Sequence, residues 1–377
     1  MTVEILFAVT AGLALAYANG SNDVSKGIAT LVGSGVTTYR RAIIWGTLWT
    51  GLGALLGGLW GSAMLTTFGK GLLDPVITPT LAAVLAMLIG AAGWVFLASR
   101  TGLPVSTTHA LVGAVVGVGY LVYGPASIQW SSLGMKVFLP LLVSPAVSFG
   151  LTVLLLGSFQ EQEERVPVGD CLCLEAQPVE INVDRIGTLA AAGTFVPTTL
   201  SIVTGDREQC ARERPQAVRL TFDHLHWLTS GATSLARGMN DAPKMVALIA
   251  AAAVLAGPTA LPMPALFALV ALGMLVGSVV GGRRVTHVLA EKVTRMDHRE
   301  GFAANLVTAV LVTSAALYGL PVSTTHVSSG GIVGAGLRRR RINRRVLRDI
   351  LLAWVVTLPV AALLGIAAYR AMHFLMP

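Results

Sequence analysis

Residues 102–109 read Gly-Leu-Pro-Val-Ser-Thr-Thr-His, and residues 319–326 read the same eight letters again. A looser echo precedes each copy. Residues 20–27 (GSNDVSKG) and 238–245 (GMNDAPKM) share Gly, Asn, Asp and Lys in register. Asp23 and Ser106 lie 83 positions apart, Asp241 and Ser323 82. Two halves carrying the same pair of motifs at nearly the same separation make the chain an internal duplication.

Each motif interrupts an apolar run with groups that hydrocarbon excludes. The spacing predicts one apolar stretch over 3–36 broken at Asn19–Asp23, and another over 222–257 broken at Arg237–Lys244. Glycine-rich runs at 103–123 and 320–337 open with the repeated motif. Pro104 and Pro321 cannot continue a preceding helix without losing a hydrogen bond. Ser and Thr just after them are helix-start residues. Half-helices beginning inside a membrane are the expectation. Uninterrupted runs of about 20 residues, enough to cross a bilayer, fall near 42–63, 77–99, 132–158, 262–282, 300–318 and 344–370.

Composition agrees. Mean hydropathy is +0.71 and only 12% of residues are charged, about half the share of a water-soluble chain. The net charge of +8 sits in short loops and lacks the aromatic interleaving that stacks bases, so nucleic acid is excluded as a partner. Cys171, Cys173 and Cys210 lie in one polar stretch near His224 and His226. Their spacing matches no standard zinc pattern, and they read as reduced thiols. Ala16-Tyr17-Ala18 resembles a signal-peptidase site, but Glu4 replaces a basic leader; the segment reads as a first membrane helix.

Basic residues give orientation. They follow the first motif in repeat 1 (Arg40, Arg41), but the equivalent place in repeat 2 is neutral (Gly257-Pro258). In repeat 2 they cluster at Arg283, Arg284, Lys292 and Arg295, and again at Arg338–Arg341 with Arg344 and Arg345. With basic loops facing the cytoplasm, the repeats are inverted relative to each other. The expected fold is an all-α polytopic membrane protein of two inverted-topology repeats, with interrupted helices or helical hairpins meeting near the membrane midplane. Five crossings per repeat put both termini outside. Residues 1–158 form membrane repeat 1 and 222–377 membrane repeat 2. Residues 159–221 form a cytoplasmic linker with some β structure and no catalytic constellation.

Asp23 and Asp241 are costly at membrane depth, about 2.5–3.5 kcal/mol each on insertion scales. Such residues mark ion paths, although each could also simply pair with the lysine three positions on, Lys26 or Lys244. Ser106, Thr107 and Thr108, like Ser323, Thr324 and Thr325, offer hydroxyls and free backbone N–H groups at a helix start, which is the description of an oxyanion site. The plainer alternative is that they only cap helices. His109 and His326 follow, in a structural or a proton-carrying role. Ser106 with His109 is the nearest approach to a nucleophile and base. Its symmetric recurrence suits binding rather than acyl transfer, so the chain does not read as an enzyme.

Twin Asn-Asp motifs followed by twin GLPVSTTH segments resemble the inorganic phosphate transporter (PiT) family of anion permeases. The resemblance covers both membrane halves and leaves out 159–221. It implies secondary transport of phosphate coupled to sodium or protons through inverted repeats, commonly as a homodimer in the cytoplasmic membrane of a prokaryote, with no cofactor. It assigns phosphate contacts to Ser106, Thr107, Thr108, Ser323, Thr324 and Thr325. Asn22, Asp23, Asn240 and Asp241 would serve cation coordination, with sodium a candidate at the two aspartates, and anion positioning. The usual family motif, Gly-Ala-Asn-Asp-Val-Ala-Asn, ends in an amide, whereas both copies here end in lysine. An ammonium at Lys26 or Lys244 takes the space and charge of a sodium ion, which points to proton coupling in at least one site. A sulfate permease is the runner-up, and a passive anion channel is the alternative from another class.

Overall fold

Away from water, a backbone must satisfy its own hydrogen bonds, and the apolar stretches do so as helices. The computed structural model describes residues 3–165, 171–178, 198–205, 212, 218–256, 261–338 and 342–375. Its helices are α1 (Val3–Gly33), α2 (Tyr39–Trp60), α3 (Ser62–Lys70), α4 (Leu81–Thr101), α5 (Thr107–Tyr123), α6 (Leu139–Arg165), α7 (Phe222–Leu255), α8 (Met263–Gly281), α9 (His298–Leu317), α10 (Thr324–Arg338) and α11 (Arg344–Leu375). A π-helical segment, Leu133–Phe138, leads into α6. The sequence leads one to expect about five crossings per repeat, with each interrupted segment counting as one span or two. Among the described residues eight helices are long and apolar enough to cross a membrane. The helices opened by the repeated motif, α5 with 17 residues and α10 with 15, are shorter.

The Asn-Asp stretches do not break their helices, contrary to the sequence expectation. α1 runs unbroken through Asn19–Asp23, and α7 through Arg237–Lys244 with Pro243 inside it. The magnitudes explain why. An Asn or Asp in a helix costs up to about 0.7 kcal/mol in propensity, whereas each unsatisfied backbone group in hydrocarbon costs several. The chain keeps its ladder and lets the side chains find partners sideways.

The real interruptions fall at the eight-residue repeats, and both are built alike. Gly102 (φ 80°) and Gly319 (φ 67°) adopt the left-handed conformation that ends a helix. Leu103 N–H reaches Ala98 C=O at 2.9 Å and Gly102 N–H reaches Ser99 C=O at 3.3 Å. Leu320 to Ala315 (2.9 Å) and Gly319 to Ala316 (3.2 Å) repeat the pattern. This is a Schellman stop. Proline then blocks re-entry, and serine caps the next helix: Ser106 Oγ accepts from His109 N–H at 3.2 Å and Ser323 Oγ from His326 N–H at 3.3 Å.

α1 and α7 are the central helices. Ala18–Leu31 is buried on every side, as is Ala236–Ile249, the pattern of a helix enclosed by others. Peripheral helices show apolar stripes outward, as Ile44, Leu48, Leu52, Leu55 and Leu59 do on α2; that is the lipid-facing side of a spanning helix. The central helices make matching close crossings. A Cβ at Gly20 would collide with the Met274 carbonyl and one at Gly277 with that of Tyr17, where α1 crosses α8. Gly238 faces the Thr50 carbonyl and Gly53 that of Leu235 in the same way, where α7 crosses α2. Gly20 and Gly238 are 218 positions apart, and so are Tyr17 and Leu235. The first helix of each half therefore packs on the second helix of the other.

The chain divides into two compact units, Met1–Leu156 with His226–Pro377, and Gly157–Leu225. The second contains an antiparallel sheet of order β2-β1-β3, from β1 (Cys171–Pro178), β2 (Thr198–Gly205) and β3 (Val218–Thr221). Cys171 pairs with Gly205 on one side and Thr221 on the other, and is buried as a free thiol. Cys210 and Arg339–Arg341 lie outside the described residues.

Substituting Gly53 or Gly238 with Ala forces two backbones apart at a crossing that closes the core. Each change is expected to cost about 1–3 kcal/mol or more by overpacking, read as a lower melting temperature of the detergent-solubilised protein. Ala at Gly69, where an added Cβ meets no atom within 4 Å, should leave the melting temperature unchanged or slightly raised.

Candidate functional site

The two capped tips, the starts of α5 and α10, face each other. Thr325 Oγ1 donates to the Val105 carbonyl at 2.7 Å, and Thr108 Oγ1 makes a long 3.5 Å contact with the Val322 carbonyl. Thr108 corresponds to Thr325 and Val105 to Val322, so the contact is reciprocal, as a two-fold relation between the halves requires. The His109 and His326 rings meet edge to face, 4.6 Å between centroids. By helix geometry the N–H groups of the first turn, Thr107 and Thr108 on one tip and Thr324 and Thr325 on the other, have no acceptor within their own helix.

Against these tips α1 and α7 deliver the polar residues of the Asn-Asp motifs. Lys26 Nζ donates to the Asn22 backbone carbonyl (2.8 Å), Asn22 Oδ1 (2.6 Å) and Asp23 Oδ1 (2.6 Å). Lys244 Nζ donates to Thr108 Oγ1 (2.8 Å), Asp241 Oδ1 (3.2 Å) and the Val322 carbonyl (3.2 Å). An ammonium has three donors, and in both lysines all three are taken by oxygen. The expected Asp–Lys pairs are therefore present, and both lie fully buried.

Asn22 and Asn240 brace the tips. Asn22 Nδ2 donates to the Leu103 carbonyl at 3.0 Å, and its Oδ1 accepts from Val105 N–H at 3.1 Å. Asn240 Nδ2 donates to the Val322 carbonyl at 3.2 Å and to Asp241 Oδ1 at 2.8 Å. Thr107 Oγ1 donates to Asp23 Oδ2 at 3.0 Å. Thr324, its counterpart, is buried at the start of α10.

Two residues that the motifs did not single out tie the cluster together. Asn19 Nδ2 lies 2.8 Å from Asp23 Oδ2, 3.1 Å from Asp241 Oδ2 and 3.1 Å from Thr107 Oγ1, linking both carboxylates to one tip. Arg237, wholly buried, reaches Asn19 Oδ1 at 3.3 Å and Thr50 Oγ1 at 2.7 Å. The signal for both was in the sequence. Each lies four residues before its aspartate, one helical turn away and on the same face. The histidine pair also lines a cavity of about 910 Å³, together with Trp354 and apolar residues of the Leu133–Phe138 segment, α6 and α11.

Among the described residues no group of three or more His, Cys, Asp or Glu is placed to hold a metal ion. The arrangement is one of donors converging from two helix starts, with buried cations and carboxylates between them.

The model of the phosphate transporter family matches residues 19–365. The chain belongs to the phosphate transporter family. That makes it a multi-pass membrane transporter rather than an enzyme. A Pyrococcus abyssi protein named "Putative phosphate permease" is 29% identical over 97% of both chains. A Rhizobium meliloti protein named "Probable low-affinity inorganic phosphate transporter" is 29% identical, covering 94% of this chain and 92% of its own. A solved structure named "The sodium-dependent phosphate transporter" superposes over 100% of both chains with a TM-score of 0.78 at 22% identity, which shows a shared fold.

Replacing Lys26 with Met strands Asp23 without its ammonium in a buried place. The expected loss is about 3–5 kcal/mol of stability, measured by thermal unfolding in detergent. Lys26→Met combined with Asp23→Asn should recover most of it, giving a coupling energy above about 1 kcal/mol. A double variant as unstable as the sum of the single ones would show that the pair carries no mutual stabilisation.

Proposed function

We propose that this chain is a secondary active symporter of inorganic phosphate in the cytoplasmic membrane of a prokaryote, built from inverted repeats and coupled to protons. The observation that carries the reading is the reciprocal meeting of two serine-capped helix starts beside paired Asn-Asp-Lys clusters. A tetrahedral anion needs donors on several sides. Two helix starts of opposite origin supply first-turn N–H groups, the hydroxyls of Ser106, Thr107, Thr108, Ser323, Thr324 and Thr325, and the favourable ends of two helix dipoles. Each serine oxygen already accepts a cap hydrogen bond, which leaves its own O–H free to donate.

In this arrangement several donors of the cluster are already engaged: Thr107 is spent on Asp23, and Lys244 on Thr108. Phosphate takes the Thr107 hydroxyl from Asp23 Oδ2, which leaves that carboxylate oxygen open to a proton while Lys26 stays on Oδ1. Alternating access then consists of the two tips parting towards one face and then the other. The family resemblance supports a homodimer, and the distribution of basic loops supports a cytoplasmic position for 159–221.

Proton coupling rests on Lys26 and Lys244. Each ammonium fills a cage of carboxylate, carbonyl and amide or hydroxyl oxygens, the ligand types that hold a hard cation. A tethered charge there leaves little for sodium to do. Sodium coupling is the second reading, favoured by the shared fold with a transporter whose name states sodium dependence. Sulfate permeation and a passive channel are the remaining alternatives.

Purified protein in liposomes should accumulate radiolabelled phosphate when an inward proton gradient is imposed, with a sodium gradient adding nothing, and sulfate should compete weakly. Uptake that requires sodium and ignores pH would replace this coupling with the second reading. Equilibration without accumulation would mean a channel. Ser106→Ala and Ser323→Ala should each raise KM about 10–100-fold, the loss of one hydrogen bond to a charged group. Asp23→Asn and Asp241→Asn should mainly abolish the response to the gradient.

A further inference from the structure

Asp23, Lys26, Arg237, Asp241 and Lys244 are all buried in one cluster. Each aspartate already has its own lysine three residues on. With all five ionised, the two lysines cancel the two aspartates and Arg237 is left over. Its guanidinium belongs to the largest fully buried side chain among the described residues, and its Nε has no hydrogen-bond partner. A desolvated cation with an open donor and no counter-charge of its own calls for an anion.

Position brings that guanidinium within one side chain of a tip. Arg237 holds Asn19 Oδ1, and Asn19 Nδ2 holds Thr107 on the first turn of α5. Arg237 and Asn19 are also counterparts, separated by the same 218 positions as Asp23 and Asp241. Counterparts that touch lie on the axis relating the halves, as the His109–His326 pair does. An anion held between two symmetric tips lies near that same axis. The duplication therefore placed one arginine, not two, at the centre.

We propose that Arg237 is a substrate-binding residue, the guanidinium that anchors the phosphate between the two helix tips. This rests on the phosphate reading above and adds a residue to it. A planar guanidinium suits a phosphate oxygen better than the compact ammonium of lysine. The two lysines, with all three donors occupied, are left to the carboxylates.

The test uses full-length protein in liposomes for uptake, and in detergent for the rise in melting temperature on adding inorganic phosphate. Arg237→Gln is expected to raise KM at least tenfold with a smaller change in kcat, and to lose the phosphate-dependent stabilisation. Arg237→Lys should fall between it and the parent. The exchange Asn19→Arg with Arg237→Asn returns the guanidinium to the axis from the opposite helix, and should recover most of the affinity. Arg237→Gln with an unchanged KM and an unchanged phosphate-dependent shift overturns the proposal. If Arg237→Gln does not fold, the exchange decides: a folded exchange variant with near-parental KM supports the anchor, and one with KM raised tenfold or more overturns it. A parent protein that takes up no phosphate would instead overturn the substrate reading itself.

Discussion

Asp23, Lys26, Arg237, Asp241 and Lys244 are all withdrawn from solvent, and a lone charge in such a place costs several kcal/mol even after relaxation. No single helix could offset that. Lys26 finds its oxygens within one turn of α1, but Lys244 needs Thr108 and the Val322 carbonyl, which come from α5 and the loop before α10. Asn19 spans from α1 to an aspartate on α7 and a threonine on α5. The charges are tolerable only where both halves contribute, so the polar centre and the assembly of the two halves are one requirement.

The same mutual dependence runs through the apolar packing. α1 lies on α8 and α7 on α2, with glycines where the backbones meet. Neither half can close its own core, because each lends its first helix to the other's second. This gives the duplicated arrangement its fixed register. A shift along either crossing would drive a side chain into a carbonyl and pull Asp23 or Asp241 away from the tips. Packing in the shell thereby sets distances at the centre, where hydrogen bonds of 2.6–3.2 Å hold both lysines.

The repeated octapeptide can be read almost in full from its letters. Glycine stops a helix, proline prevents its resumption and serine caps the next, and both copies do this with the same hydrogen bonds. The Asn-Asp stretches mislead, because polar residues in an apolar run look like an interruption. Side chains can be satisfied laterally, and the backbone ladder had no reason to open. Asn19 and Arg237 are hidden for a related reason. The four-residue spacing places each on the face of its aspartate, but their importance lies in a contact across 218 positions, which that spacing does not show. Nor does composition show that α1 and α7 exchange partners, since that depends on which glycine faces which carbonyl.

A carrier of the kind proposed must also return without its substrate, and buried charge makes that step difficult. A carboxylate whose mobile cation has left is an unpaired charge inside the protein. Here the ammoniums of Lys26 and Lys244 cannot leave; they keep Asp23 and Asp241 paired whatever the anion does. The hydroxyls likewise have somewhere to go, Thr107 to Asp23 and Thr325 to the Val105 carbonyl. These hydroxyls and carboxylates hold one another, and an anion must compete with those internal bonds. Such competition lowers affinity and eases release. It also keeps the free-energy difference between empty and loaded forms small, the condition under which both can cross between the two faces of a membrane.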